Sequence, residues 1–340
     1  MKIGIITIYK CYNYGSFYQA YGLQKYLEDL GHQAEFIPID SKYNKHYRLR
    51  KQFTRDIKRD FFSLSLCKKY LKTWKKLNIG KKDTNDYDLI IIGSDEIWNI
   101  NNKTFVADKR YYGLFLPTKN VFTYASCIGG AKLENFENHK DLTESIKQIP
   151  VVSARDFATK EFLSEIRNDK DVPMVIDPSF LIKWDKIEKN VNEKDFILVY
   201  TYDGSWGFNE EQIKAAKDFA KEKNMPLISV GFKNDWCDKT VAASAEEFLG
   251  YLKNASYVIT DTFHGTALSI QYEKQFISFG KGKQKVESLL GELNLKDRFY
   301  SSENSPSKIA ENPIDYLKVN AYLSEKIGFS KDYINKNIKY

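Results

Sequence analysis

Apolar residues in this chain fall into two alternating patterns: short unbroken runs, and stretches where they recur every three or four positions. The first pattern predicts buried strands and the second amphipathic helices. Lys2 to Ile8 is the first run. A polar loop through Gly15, a helix-spaced stretch to about Leu30, Gly31 as terminator and a strand from Ala34 to Ile39 complete a βαβ opening. Asp88-Leu-Ile-Ile-Ile-Gly93 is apolar without alternation, as a strand covered on both faces requires. Further strands are predicted at Val121 to Ser126, Val151 to Arg155 and Pro173 to Ile176. The helical spacing between them makes the sheet largely parallel.

Leu181 to Asp195 is charged and poor in strand signals, and a new α/β series begins at Phe196-Ile-Leu-Val-Tyr-Thr201. Helices near Glu210 to Lys223 and Ala245 to Leu252 alternate with strands at Pro226 to Gly231, Tyr257 to Thr260 and Gln275 to Phe279. At 340 residues the chain is too long for one ordinary doubly wound domain. The boundary is placed near residue 182, giving units 1–181 and 182–340. Glu311 to Tyr340 has helical spacing and either caps the second unit or crosses back onto the first.

Composition narrows the setting. No apolar stretch approaches the roughly 20 residues that span a bilayer, and Met1 runs straight into the first strand without a signal-peptide pattern. The four cysteines (Cys11, Cys67, Cys127 and Cys237) are scattered without metal-site or disulfide spacing, which favours a reducing, cytoplasmic setting. The net charge of +7 is lopsided: Lys42 to Lys82 holds 15 Lys or Arg against two acids, with aromatic residues interleaved. That basic helical insertion is either a solvated face or a contact to an anionic partner such as the inner face of a membrane. Nucleic acid is not expected, because no binding module accompanies the charge.

Chemistry concentrates where strands end. In Tyr257-Val-Ile-Thr-Asp-Thr-Phe-His-Gly-Thr-Ala-Leu-Ser269 an apolar strand breaks into a polar turn and a helix, with His264 at the break. Ligands of open α/β sheets bind beyond the carboxyl ends of strands, and a helix start at Gly265 and Thr266 offers amide donors to an anion. His264 is either a proton-transfer group or a structural residue of the turn. Gly93-Ser-Asp-Glu-Ile-Trp-Asn99 repeats the pattern: Asp95 and Glu96 take protons, bind hydroxyls or cap a helix, and Trp98 stacks on a sugar or fills core.

The first loop carries Asn13, Tyr14, Gly15 and Ser16, as acceptor contacts or as a simple helix cap, and matches no phosphate-loop fingerprint. Arg155 is either a clamp for a carboxylate or phosphate or half of a structural ion pair. Gly280-Lys-Gly-Lys-Gln-Lys285 adds ammoniums after the last strong strand, as phosphate contacts or as surface lysines.

In this order the pieces resemble the polysaccharide pyruvyl transferase family: Lys2-Ile-Gly-Ile, Asn13-Tyr-Gly15, Gln19-Ala-Tyr-Gly-Leu-Gln24, Asp88 to Asn99, Ser153-Ala-Arg-Asp156, Ile176-Asp-Pro178 and Thr260-Asp-Thr-Phe-His-Gly265. The resemblance implies an α/β chain of two Rossmann-like domains facing a cleft, similar to the GT-B glycosyltransferases. It implies transfer of a pyruvyl unit from phosphoenolpyruvate onto the hydroxyls of a lipid-linked or nucleotide-linked saccharide as a ketal, in cell-surface polysaccharide biosynthesis, with neither metal nor organic cofactor.

By the same resemblance His264 moves the proton and Arg155 holds the donor, while Asp95 and Glu96 are further catalytic candidates from their place at a strand end. Thr262 stands where members of the family often carry an arginine, so Lys281, Lys283 or Arg298 is expected to supply that charge. Two competing functions remain at this level: a GT-B-like glycosyltransferase using a sugar nucleotide, and a non-catalytic carbohydrate-binding relative.

Overall fold

Two parallel sheets carry the chain, and the continuous apolar runs explain why each is buried on both faces. The computed structural model describes residues 1–39, 56–81 and 86–339. Much of the basic insertion, residues 40–55 and 82–85, lies outside the described residues. In the first half β1 (Lys2–Ile6), α1 (Tyr14–Asp29) and β2 (Gln33–Phe36) form the opening unit. Next come α2 (Ile57–Thr73), β3 (Leu89–Asp95), the single turn α3 (Lys103–Val106), β4 (Val121–Ser126), α4 (Lys140–Gln148) and α5 (Phe157–Arg167). The strand order is β2-β1-β3-β4. Along β3, Leu89 and Ile91 pack into one core layer and Ile90 and Ile92 into another. That two-sided burial is what an unalternating run dictates.

The second half contains β5 (Ile197–Tyr200), α6 (Glu210–Lys223), β6 (Leu227–Val230), β7 (Lys239–Val241), α7 (Ala245–Asn254) and β8 (Tyr257–Thr260). It continues with α8 (Phe263–Gln271), β9 (Phe276–Ser278), α9 (Gln284–Glu292) and α10 (Pro306–Glu311), and closes with the long α11 (Tyr316–Ile338). Its sheet is β7-β6-β5-β8-β9, again parallel. The stretch between the last bridge of the first sheet, at Met174, and the start of β5 contains the sequence boundary near 182.

Two predicted strands are corrected. Val151 to Arg155 and Pro173 to Ile176 make only isolated parallel bridges, at Val151, Ala154 and Met174. Ala125 in β4 sits at φ 53, which breaks the ladder, and the Ser153 hydroxyl takes over: it donates to Thr123 O at 3.0 Å and accepts from Ala125 N–H at 3.1 Å. The edge strand β7 has no apolar run and was not legible.

The halves are joined by buried contacts. From α1, Tyr14 and Tyr18 donate to the carbonyls of Ala243 and Ala245, each at 2.7 Å, and Tyr14 stacks on Tyr200. Helix α11 returns to the first sheet, where Tyr333 donates to Thr123 O at 2.9 Å and Ser330 Oγ accepts from Ile176 N–H at 2.9 Å. Among the described residues no helix is long and apolar enough to cross a membrane.

Candidate active site

Thr260 ends β8 and its hydroxyl donates to Tyr200 O at 2.7 Å, anchoring the following turn to β5. Thr262 then caps α8, its Oγ1 accepting from Gly265 N–H at 3.0 Å. His264 therefore sits in the first turn of α8, 8% exposed. Helix α1 begins directly opposite, capped by Asn13, whose Oδ1 accepts from Gly15 N–H at 2.8 Å. A Cβ at Gly15 would lie 2.1 Å from His264 Nδ1, so only glycine lets the two helix starts meet here. Two positive helix ends thus converge at one place.

Behind His264 lies a buried polar group. Asp177 Oδ2 is 3.5 Å from His264 Nε2 and accepts from Arg155 Nη1 at 2.9 Å and Ser94 Oγ at 3.2 Å. Burial works against the ionised Asp177 carboxyl, but His264 and Arg155 outweigh it and hold its pKa well below the usual carboxylate range. The Arg155 guanidinium also lies over the Phe263 ring at 4.7 Å.

In front of His264 opens a cleft of about 470 Å³ between the two sheets, lined among others by Asn13, Asp95, Glu96, Thr262, His264, Lys283 and Lys285. Lys283 pairs with Asp261 at 2.6 Å, and Lys285 reaches across the cleft to Glu96. Burial disfavours the charged Glu96, but Lys285 more than compensates and brings its pKa down to about 2. An anionic ligand would compete with these carboxylates for the two ammoniums. A wider groove of about 980 Å³ between α5, α9 and α11 is lined by Asp156, Glu161, Glu287, Glu292 and Glu325 against Lys160, Lys296 and Lys326, a net-acidic and so poorer setting for an anion.

Residues 13–281 match the family model described as polysaccharide pyruvyl transferase, from the α1 cap through the His264 turn and ending just short of Lys283 and Lys285. The chain belongs to this family. Solved structures agree on the fold. S. aureus MnaA in its UDP co-structure is 12% identical with a TM-score of 0.53, covering 100% of this chain and 96% of that one. Neisseria meningitidis UDP-GlcNAc 2-epimerase bound to UDP-GlcNAc is 9% identical with a TM-score of 0.53, covering 99% of both. At such identity the likeness shows the architecture alone: two Rossmann-like domains in a GT-B arrangement. No curated protein sequence matches the chain.

The pyruvyl transferase family motifs are brought together unevenly. Asn13, Gly15, Asp95, Glu96, His264 and Lys283 meet at the cleft, and Ser16 supports it by donating to Asp95 Oδ2 at 3.1 Å. Gly265 contributes backbone at the α8 cap. Several expectations are corrected. Trp98 is fully buried and donates to Tyr111 O at 2.8 Å, so its ring is core and stacks on no sugar. Tyr14 is enclosed between the domains.

Arg298 is buried against Asp297 and the Ile309 carbonyl, and neither it nor Lys281 is among the residues lining the cleft. Thr266 Oγ1 donates to its own helix at Thr262 O. Arg155 stands behind His264 in an ion pair rather than on the cleft wall. Sequence reasoning missed Asp177 as a partner of His264, although Ile176-Asp-Pro178 was visible as a motif. Lys285 was legible only as one lysine of a basic turn.

Proposed function

We propose that this family member transfers a pyruvyl group from phosphoenolpyruvate to two hydroxyls of a saccharide, closing a cyclic ketal in the biosynthesis of a cell-surface polysaccharide. The observation that carries the proposal is His264, backed by Asp177 and placed where two helix starts and two lysines converge. His264 delivers a proton to the methylene carbon of the donor. One sugar hydroxyl adds to the neighbouring carbon and returns its proton to His264, and phosphate leaves as the second hydroxyl closes the ring, that hydroxyl's proton departing with the phosphate. Asp177 holds the imidazole and balances its charge when it carries the proton. Lys283, Lys285 and the α8 start receive the carboxylate and phosphate of the donor.

The saccharide approaches from the first domain, where Asp95, Glu96 and Asn13 offer acceptors and donors to its hydroxyls. Lipid-linked and nucleotide-linked saccharides both present such a sugar on a cytoplasmic carrier, which places the enzyme in that compartment. Neither metal nor organic cofactor enters the steps.

The test is phosphate release from phosphoenolpyruvate across a panel of such saccharides. Wild type should release phosphate with a matching acceptor, and His264→Ala should lose about 10²–10⁴-fold in turnover while still binding the donor. Binding of a sugar nucleotide with no phosphoenolpyruvate binding would move the assignment to glycosyl transfer.

A further inference from the structure

Helix α2 has one face that no other described residues cover. Its inner face packs Tyr70 and Thr73 into the molecule, with Tyr70 stacked on Tyr14. At helical spacing on the outer face stand Ile57, Phe61, Leu64 and Leu71, exposed by 72%, 71%, 45% and 45%. Four large apolar side chains in water on one 17-residue helix are unusual for a surface that meets nothing. Exposed Lys58, Lys68, Lys72 and Lys75 share or border that face. Arg59, Lys69 and Lys76 pair with Asp203, Glu247 and Glu246. Among the described residues these other four lysines have no carboxylate partner, and Asp60 is the one acid within the helix.

We propose that the outer face of α2 docks on an anionic lipid surface. Apolar side chains enter the headgroup boundary while lysines on flexible stems reach the phosphates, a division of labour that such amphipathic faces show. A protein partner is a weaker fit, because the charge here is one-sided: four lysines without a carboxylate partner among the described residues against the single acid Asp60.

The position matters as well. Arg59 pairs with Asp203, next to Tyr202, and Tyr202 lines the cleft and accepts from Asn13 Nδ2 at 2.9 Å. A membrane against α2 therefore lies beside the cleft, so a lipid-linked saccharide would be presented to it. That last consequence rests on the proposed function, whereas the docking does not.

Co-sedimentation of the full chain with vesicles tests it, using phosphatidylcholine alone and phosphatidylcholine with about 30% phosphatidylserine, since the surface potential comes from the anionic lipid. Wild type should bind the anionic vesicles alone and release them as salt rises. The double variant Phe61→Ser/Leu64→Ser should bind at least about tenfold more weakly. Lys68→Glu/Lys72→Glu should lose about 25-fold or more, at about fivefold for each lysine near such a surface. Circular dichroism of each variant should match wild type, since these positions are exposed.

Absence of wild-type binding at low salt, or variants binding as wild type does, overturns the proposal. So does a dimer in sedimentation velocity that Phe61→Ser/Leu64→Ser dissociates, because a second copy would then cover the face. A chain that binds anionic vesicles yet releases no phosphate from phosphoenolpyruvate would overturn the chemistry and leave the docking standing.

Discussion

One missing methyl group sets the geometry around His264. Because a Cβ at Gly15 would lie 2.1 Å from Nδ1, Gly15→Ala must push the imidazole away from Asp177 or part the two helix starts. A displacement near 1 Å at a proton-transfer group costs about 10²-fold, so Gly15→Ala should lower phosphate release by that order, with an overpacking cost of about 1–3 kcal/mol in stability. Steady-state kinetics with a denaturant titration check it. Trp98→Ala should do the reverse: as a fully buried ring it should cost about 3–5 kcal/mol of stability, leaving the saccharide KM of the folded fraction unchanged. A raised KM would return the ring to the sugar.

These two residues show what a sequence holds at this scale. His264 was visible because an imidazole at a strand-to-helix break has few ordinary reasons to be there. Trp98 occupies an equivalent position, but which side its ring turns depends on Tyr111, whose carbonyl takes its N–H. Arg298 and Asp177 are the same lesson from opposite sides. One charge was expected in the cleft and is buried at Asp297 and Ile309; the other was noted only within the Ile176-Asp-Pro178 motif and stands against the histidine. Long-range pairing of charges leaves no local periodicity to read.

At the scale of elements, patterning was a better guide. β4, α6 and β8 occupy the spans their apolar periodicity predicts, since strands buried on both faces and amphipathic helices carry their own period. Failure came where side chains replace the backbone ladder, as Ser153 does beside β4. Thr262 likewise belongs to its element before it belongs to the chemistry: its hydroxyl caps α8. Thr262→Ala should therefore cost about 1 kcal/mol, with Thr262→Ser close to wild type, measured by chemical denaturation. Thr262→Arg gives up the same cap but adds a cation at the cleft wall. It should be destabilised by a similar amount and show a lower KM for phosphoenolpyruvate.

The whole molecule is held across its cleft by charge as well as by core. Glu96 follows β3 of the first sheet and Lys285 lies in α9 of the second half, and their pairing brings the Glu96 carboxyl from 4.5 down to about 2. A carboxyl depressed on folding stabilises the folded state fully above its ordinary value, and the contribution is lost as pH falls through the folded value. Wild type should therefore melt above Glu96→Gln at pH 7, and the gap should close as pH falls from about 4.5 toward about 2. Thermal scans of both proteins across that window check the sign. Helix α11 ties the halves from the other side, with Tyr333 on Thr123 and Ser330 on Ile176, so the two sheets should unfold together.

Isothermal titration of phosphoenolpyruvate, run alongside phosphate release with a matching saccharide, bears most directly on the central claim. Wild type should bind the donor and turn over, whereas His264→Ala should bind with similar affinity and lose turnover by about 10²–10⁴-fold. No heat of binding at millimolar donor, or undiminished phosphate release by His264→Ala, would contradict it.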